Sequence, residues 1–140
     1  MTAVRELAAP LVAREWLQRF WEVRGRLPYR YEIPPALVQW FPGWQVPVGW
    51  QAELELMAAL RQLGLGPGWS PGADAAGVDI KFTLAGVRVR VQLKVRREEQ
   101  AARYRLARRS PRTADLLLVL PAAAVGRIGT LVPRLVEALR

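Results

Sequence analysis

Two alternating segments joined by Ala85-Gly86 constrain this chain more than any other feature. Val78-Asp79-Ile80-Lys81-Phe82-Thr83-Leu84 and Val87-Arg88-Val89-Arg90-Val91-Gln92-Leu93-Lys94-Val95 place apolar residues at every second position, the pattern of strands with one apolar face. With Ala85-Gly86 at the tip of a hairpin, Leu84 faces Val87, Phe82 faces Val89, Ile80 faces Val91 and Asp79 faces Gln92. A slip by one residue would set apolar side chains against polar ones on both faces, so the register is strongly specified. Directly opposed Cβ atoms lie about 5 Å apart, and Lys94 is the next residue along the face of Gln92. A carboxylate, an amide oxygen and an ammonium are expected to converge.

That set suits a particular chemistry. A hard cation such as Mg²⁺ takes oxygen ligands, commonly one or two protein carboxylates with water and phosphate completing its shell. A lysine beside it can steer the attacking water and offset charge on a phosphate. The plainer alternative is an antiparallel hairpin with one solvated, charged face. Among 21 basic residues only Lys81 and Lys94 are lysines. A compact, tunable charge kept against a strong arginine bias singles out Lys94, while Lys81 has no corresponding role.

Trp50 to Gly64 (WQAELELMAALRQLG) has good helix formers throughout and ends on a glycine suited to a C-cap. Helical spacing puts Glu53 on the face of Met57 and Leu60, and Glu55 with Ala59 and Gln62. A carboxylate turned inward costs several kcal/mol unless it meets a cation or hydrogen bonds, which a site at Asp79 and Lys94 would supply. A small rotation of the helix would instead leave Glu53 solvated.

Over residues 50 to 121 the chain resembles the PD-(D/E)xK nuclease superfamily. The resemblance rests on the Glu53 helix, the Gly-rich approach GWSPGADAAG, the strand with Asp79, the strand VQLK and the apolar strand LLLVL. It is nearest to branches with glutamine in place of the second acidic residue, among them certain intron-encoded homing endonucleases and the end-cleaving subunit of some heteromeric transposases. Gln92 stands where Asp or Glu is usual, leaving one fewer negative charge for a metal, and Val78 stands where the name-giving proline would be. The resemblance implies a restriction-endonuclease-like core running helix, three antiparallel-linked strands, helix, strand. It also implies Mg²⁺, with Mn²⁺ as substitute, held by Asp79, the Gln92 side-chain oxygen, the Leu93 backbone carbonyl and Glu53, directly or through water. Lys94 would then position the hydrolytic water for phosphodiester cleavage leaving a 5′-phosphate.

The expected fold class is α/β, with a mixed sheet in a single domain of 140 residues. An N-terminal helical, Trp-rich extension occupies 1–49, the nuclease-like core 50–121 and a closing helix 122–140. Absence of Cys and His excludes disulfides, thiolate or imidazole metal sites, and Ser-His-Asp or Cys-His catalysis. No phosphate-binding Gly-x-x-x-x-Gly-Lys loop is present. No apolar stretch approaches the about 18 residues that span a bilayer, and charges are scattered through the first residues, unlike a signal peptide. A cytoplasmic protein with no membrane partner is expected.

The net charge of +9 favours a polyanionic partner, DNA in this reading. Candidate phosphate contacts are Arg88, Arg90, Arg96, Arg97, Arg103 and Arg105. Glu98-Glu99 and Arg108-Arg109 match the dipole of a helix over 98–109, which would either track phosphates or form a solvated arginine-coated face. Asp115 to Leu120 reads as a central strand ended by Pro121. Thr130 to Arg140 reads as a helix capped by Thr130, with Pro133 in its first turn. Leu11 to Arg24 carries an apolar stripe of Val12, Trp16, Phe20 and Val23. Five of six tryptophans fall between Trp16 and Trp50, suited to core packing, base stacking or a dimer interface, and Arg24, Arg26, Arg30 and Tyr31 suit a phosphate-contacting loop. Three functions fit: a Mg²⁺-dependent DNA endonuclease, a catalytically inactive DNA-binding module of that fold, and an interaction subunit of a larger nuclease or transposition complex. Double-strand cleavage by one such site per chain would call for a homodimer or higher homo-oligomer.

Overall fold

The computed structural model describes residues 2–69, 80–98, 100–106 and 114–140, with side chains from residue 12 onward. The chain forms two compact units, Met1–Trp50 and Gln51–Arg140.

In the first unit, helix α1 (Thr2–Arg24) is followed by short 3₁₀ turns at Arg30–Glu32, Pro35–Trp40 and Pro42–Trp44. The helix begins before the expected stretch, and its buried face is rotated from the expected stripe. Ala13 and Leu17 are buried, whereas Val12 and Val23 are exposed. Positions 13, 16, 17 and 20 form the i, i+3, i+4, i+7 face, so Trp16 and Phe20 remain on it and the two valines fall off. Phe41, 1% exposed, sits edge-on to both Trp16 and Trp50, with centroids 5.9 and 5.6 Å away. Core packing is therefore the use of these two tryptophans, while Trp44 is exposed.

The second unit is an α+β fold built on a five-stranded mixed sheet, ordered β1-β2-β3-β5-β4. Its strands are β1 (Gly68–Trp69), β2 (Ile80–Leu84), β3 (Val87–Arg96), β4 (Arg103–Leu106) and β5 (Leu116–Pro121). The hairpin register matches the sequence arithmetic: Leu84 pairs with Val87, Phe82 with Val89 and Ile80 with Val91. The tip is a two-residue loop with Ala85 at φ 51° and Gly86 at φ 79°, the left-handed pair that matches strand twist in a primed turn.

Helix α2 (Val48–Gln62) leads into this unit and ends in a Schellman motif. The Gly64 N–H donates to Arg61 O and the Leu65 N–H to Leu60 O, with Gly64 at φ 73°, as expected of a C-terminal glycine. Ala52, Leu56, Met57, Ala59 and Leu60 from α2, and Ile128, Val132 and Val136 from helix α3 (Ile128–Leu139), join Ile80, Phe82, Leu84, Val91, Leu116, Leu118 and Leu120 in one core. Both helices thus pack on the same sheet face, that of the odd-numbered β3 residues.

Three local expectations need correction. Arg103–Leu106 is an edge strand antiparallel to β5, not part of a helix over 98–109. The alternation Arg103-Tyr104-Arg105-Leu106 satisfies a strand, and β5 gains its second partner that way. Residues 99 and 107–109 of that stretch lie outside the described residues. The closing helix starts at Ile128, so Thr130 lies inside it, its hydroxyl donating to Arg127 O at 2.8 Å. Pro133 consequently sits in the second turn. β5 itself lies between β3 and β4, buried nearly throughout, the central strand its apolar run predicts.

Candidate functional site

The pleat decides which polar groups meet. With Val89, Val91, Leu93 and Val95 facing the helices, Arg88, Arg90, Gln92, Lys94 and Arg96 project from the second face of β3. Cross-strand partners share a face, so the registers extend this surface in rows. Lys81 lies beside Arg90 and Thr83 beside Arg88. On the other side Gln92 lies beside Leu117 and Lys94 beside Val119, and these pair onward with Arg105 and Arg103. One row therefore reads Gln92-Leu117-Arg105 and the next Lys94-Val119-Arg103. Each sets a β3 polar group about 10 Å from a β4 arginine across an apolar floor. Arg103, Tyr104, Arg105, Leu117 and Val119 line a cleft of about 360 Å³ there.

Arg90 and Arg88 have structural partners within this face. Arg90 forms a fork on Asp115, Nε to Oδ2 at 3.2 Å and Nη2 to Oδ1 at 3.1 Å, while the Arg90 N–H donates to Oδ2 at 3.0 Å. The Asp115 N–H returns a bond to Arg90 O at 2.9 Å. These bonds fix where β5 enters beside β3, and the Asp115 carboxylate raises the Arg90 pKa above its usual value, chiefly through the side-chain hydrogen bond. Arg88 Nη1 donates to Gly66 O and Thr83 Oγ1, each at 3.1 Å, holding the loop before β1 against the hairpin.

The sequence-selected residues are distributed as follows. Gln92 and Lys94 are brought together, half-buried and on one face. Leu93, between them, turns its side chain to the core. Asp79 lies outside the described residues. Glu53 is half-buried on α2, in the helix layer that covers the other face of the sheet, beside the buried Met57 and Leu60. Arg96 ends β3 and Arg97 follows it in a bend, both exposed. Arg103 and Arg105, treated as helical in the sequence, instead share the face of Lys94 through β4. Lys81 also belongs to this face.

Two roles were absent from the sequence reading. Glu55 accepts the Gly126 N–H on both carboxylate oxygens, at 2.8 and 2.9 Å, and the Ile128 N–H at 3.4 Å. It thereby supplies negative charge at the start of α3, where the helix dipole favours it. Asp115 was legible as the lone acid opening an apolar strand, a position that asks for a partner.

Among the described residues no group of three or more acidic side chains could hold a metal. The described donor on this face is the Gln92 amide oxygen, of the hard oxygen type that Mg²⁺ takes. No helix among the described residues is long and apolar enough to cross a membrane. No family model, curated protein or solved structure matches the chain.

Proposed function

We propose that the protein is a metal-dependent DNA endonuclease. The observation that carries this reading is the placement of Gln92 and Lys94 side by side on a sheet face whose other charged groups, among the described residues, are almost all cationic: Lys81, Arg88, Arg90, Arg96, Arg103 and Arg105. A polyanion is the natural occupant of such a surface. The order α2, three antiparallel-linked strands and then β5 supports a restriction-endonuclease-like core, with a strand standing where that core's second helix would be.

In this proposal Asp79 and Gln92 would hold the Mg²⁺, with the Leu93 carbonyl as a further ligand the resemblance implies; Glu53, in the helix layer over the other face of the sheet, falls outside this set. When bound, the ion supplies Lewis acidity toward a phosphoryl oxygen and lowers the pKa of a water. Lys94 orients that water and balances charge on the phosphate. Arg103 and Arg105, in successive rows along β4 across the cleft floor from Lys94 and Gln92, hold flanking phosphates, and the Arg90–Asp115 fork keeps β3 and β5 in register beside them.

The test is cleavage of supercoiled plasmid and of a branched DNA junction across Mg²⁺ and Mn²⁺ concentrations, comparing wild type with Asp79→Ala and Lys94→Ala. Metal-dependent nicking or cutting that disappears in both variants is expected. Folded wild type that leaves both substrates intact at every metal concentration would overturn the proposal.

A second reading, DNA binding without cleavage, is favoured by the neutral amide of Gln92 where an acid is usual. It expects affinity that falls with salt yet is indifferent to Mg²⁺ and to Lys94→Ala.

A further inference from the structure

The loop after α1 concentrates features that the sheet face does not use. We propose that Tyr29, Tyr31, Arg24 and Arg30 form a binding site for unpaired nucleotides, with the bases stacking on Tyr31 and the arginines meeting the phosphates. Tyr29 and Tyr31 are stacked on each other, centroids 5.7 Å apart and planes 26° from parallel. They are 53% and 82% exposed, an arrangement that leaves apolar ring surface in water where core packing would have hidden it. A ring pair ending in solvent is a stacking platform, because every base has a π-face to lay on it.

The platform is held in advance of any ligand. Arg26 lies over Tyr29 at 4.2 Å and over Phe20 at 5.3 Å, with its guanidinium forked onto Glu32 at 2.8 and 3.0 Å. Glu32 also accepts the Tyr29 N–H at 2.9 Å, closing the turn that carries both tyrosines, and the buried Ile33 anchors its far end. Ordering costs are therefore met within the free protein. Glu32, the acid of this loop, is committed to Arg26, so the exposed Arg24 and Arg30 dominate the local charge. Duplex bases are already stacked on one another, so the site selects single-stranded nucleic acid. The hydrogen bonds here read neither base edges nor the 2′-hydroxyl, so DNA and RNA strands are both taken.

The experiment uses the full chain carrying Asp79→Ala without divalent metal, so that cleavage plays no part and failure of the nuclease reading is separately visible. Fluorescence anisotropy is measured with labelled oligo-dT, oligo-rU, a duplex of equal length and an abasic strand of the same phosphate spacing. Tyr31→Ala is expected to weaken oligo-dT and oligo-rU binding about 5- to 150-fold, while Tyr31→Phe keeps it. Duplex and abasic binding should not change with either variant, and thermal midpoints should match. Arg30→Ala should weaken every strand and lower the salt slope by about one contact. Equal oligo-dT affinity in wild type and Tyr31→Ala would overturn the proposal, as would an equal loss in Tyr31→Phe or a parallel loss on the abasic strand.

Discussion

Replacing Arg103 and Arg105 together by alanine tests whether the second sheet face is the nucleic-acid surface. In a helix these two positions would point about 200° apart, but on β4 they share one face and pair with Val119 and Leu117. Counterion release makes log Kd rise with log salt by about 0.9 per phosphate neutralised on duplex DNA. With Lys94, Arg96, Arg103 and Arg105 as contacts, the slope is about 3.6, and Kd rises about 150-fold between 50 and 200 mM salt. The double variant retains about 1.8 of that slope, so its Kd rises only about 12-fold over the same range. Arg134 and Arg140, exposed on and just after α3, belong to the helix layer, so Arg134→Ala/Arg140→Ala serves as the matched charge control. Anisotropy titrations on one duplex at four salt concentrations give all three slopes. The face argument is refuted if the β4 variant keeps the wild-type slope, or if the α3 variant loses as much.

Ala85 occupies a left-handed position at the hairpin tip, φ 51°, where a Cβ is disfavoured. Ala85→Gly should raise the stability of the sheet unit by about 0.5–1 kcal/mol in denaturant titration, and Gly86→Ala should lower it by a similar amount. Glu55→Gln removes the charge that meets Gly126 and Ile128 and should cost about 0.5–1 kcal/mol by the same assay, most at low salt. Arg26's hydrogen bonds, and then the Tyr29 N–H, hold the Glu32 carboxyl down from 4.5 to about 2. A lowered folded-state pKa means that this contribution is complete above pH 4.5 and is lost as the pH falls toward 2. The near-ultraviolet dichroism of the stacked tyrosines should therefore decline across that window, and Glu32→Gln should show the low-pH signal already at pH 6.

How much of this was legible follows from which forces are local. The hairpin register and the Gly64 helix end were readable because alternation and a left-handed glycine are written in adjacent residues, and the tertiary fold had only to agree with them. The face of α1 was misread because Val12 and Val23 satisfy helical spacing as well as Ala13 and Leu17 do, and small residues reveal their burial only through what packs on them. The stretch after Lys94 was misread for a more instructive reason. Glu98-Glu99 and Arg108-Arg109 are sited for a helix dipole, a contribution of about 0.3–1 kcal/mol per terminal charge. β4 instead satisfies the outer edge of β5, where four residues of backbone donors and acceptors would otherwise lack ladder partners. That non-local demand outweighs the dipole and is invisible in any window of the sequence. Its effect on the candidate site is direct. As a helix, this segment would have presented Arg103 and Arg105 to different sides. As a strand, it sets them two rows deep across Leu117 and Val119 from Gln92 and Lys94. The misassigned element is thus the one that turns a polar strand into a two-sided basic cleft.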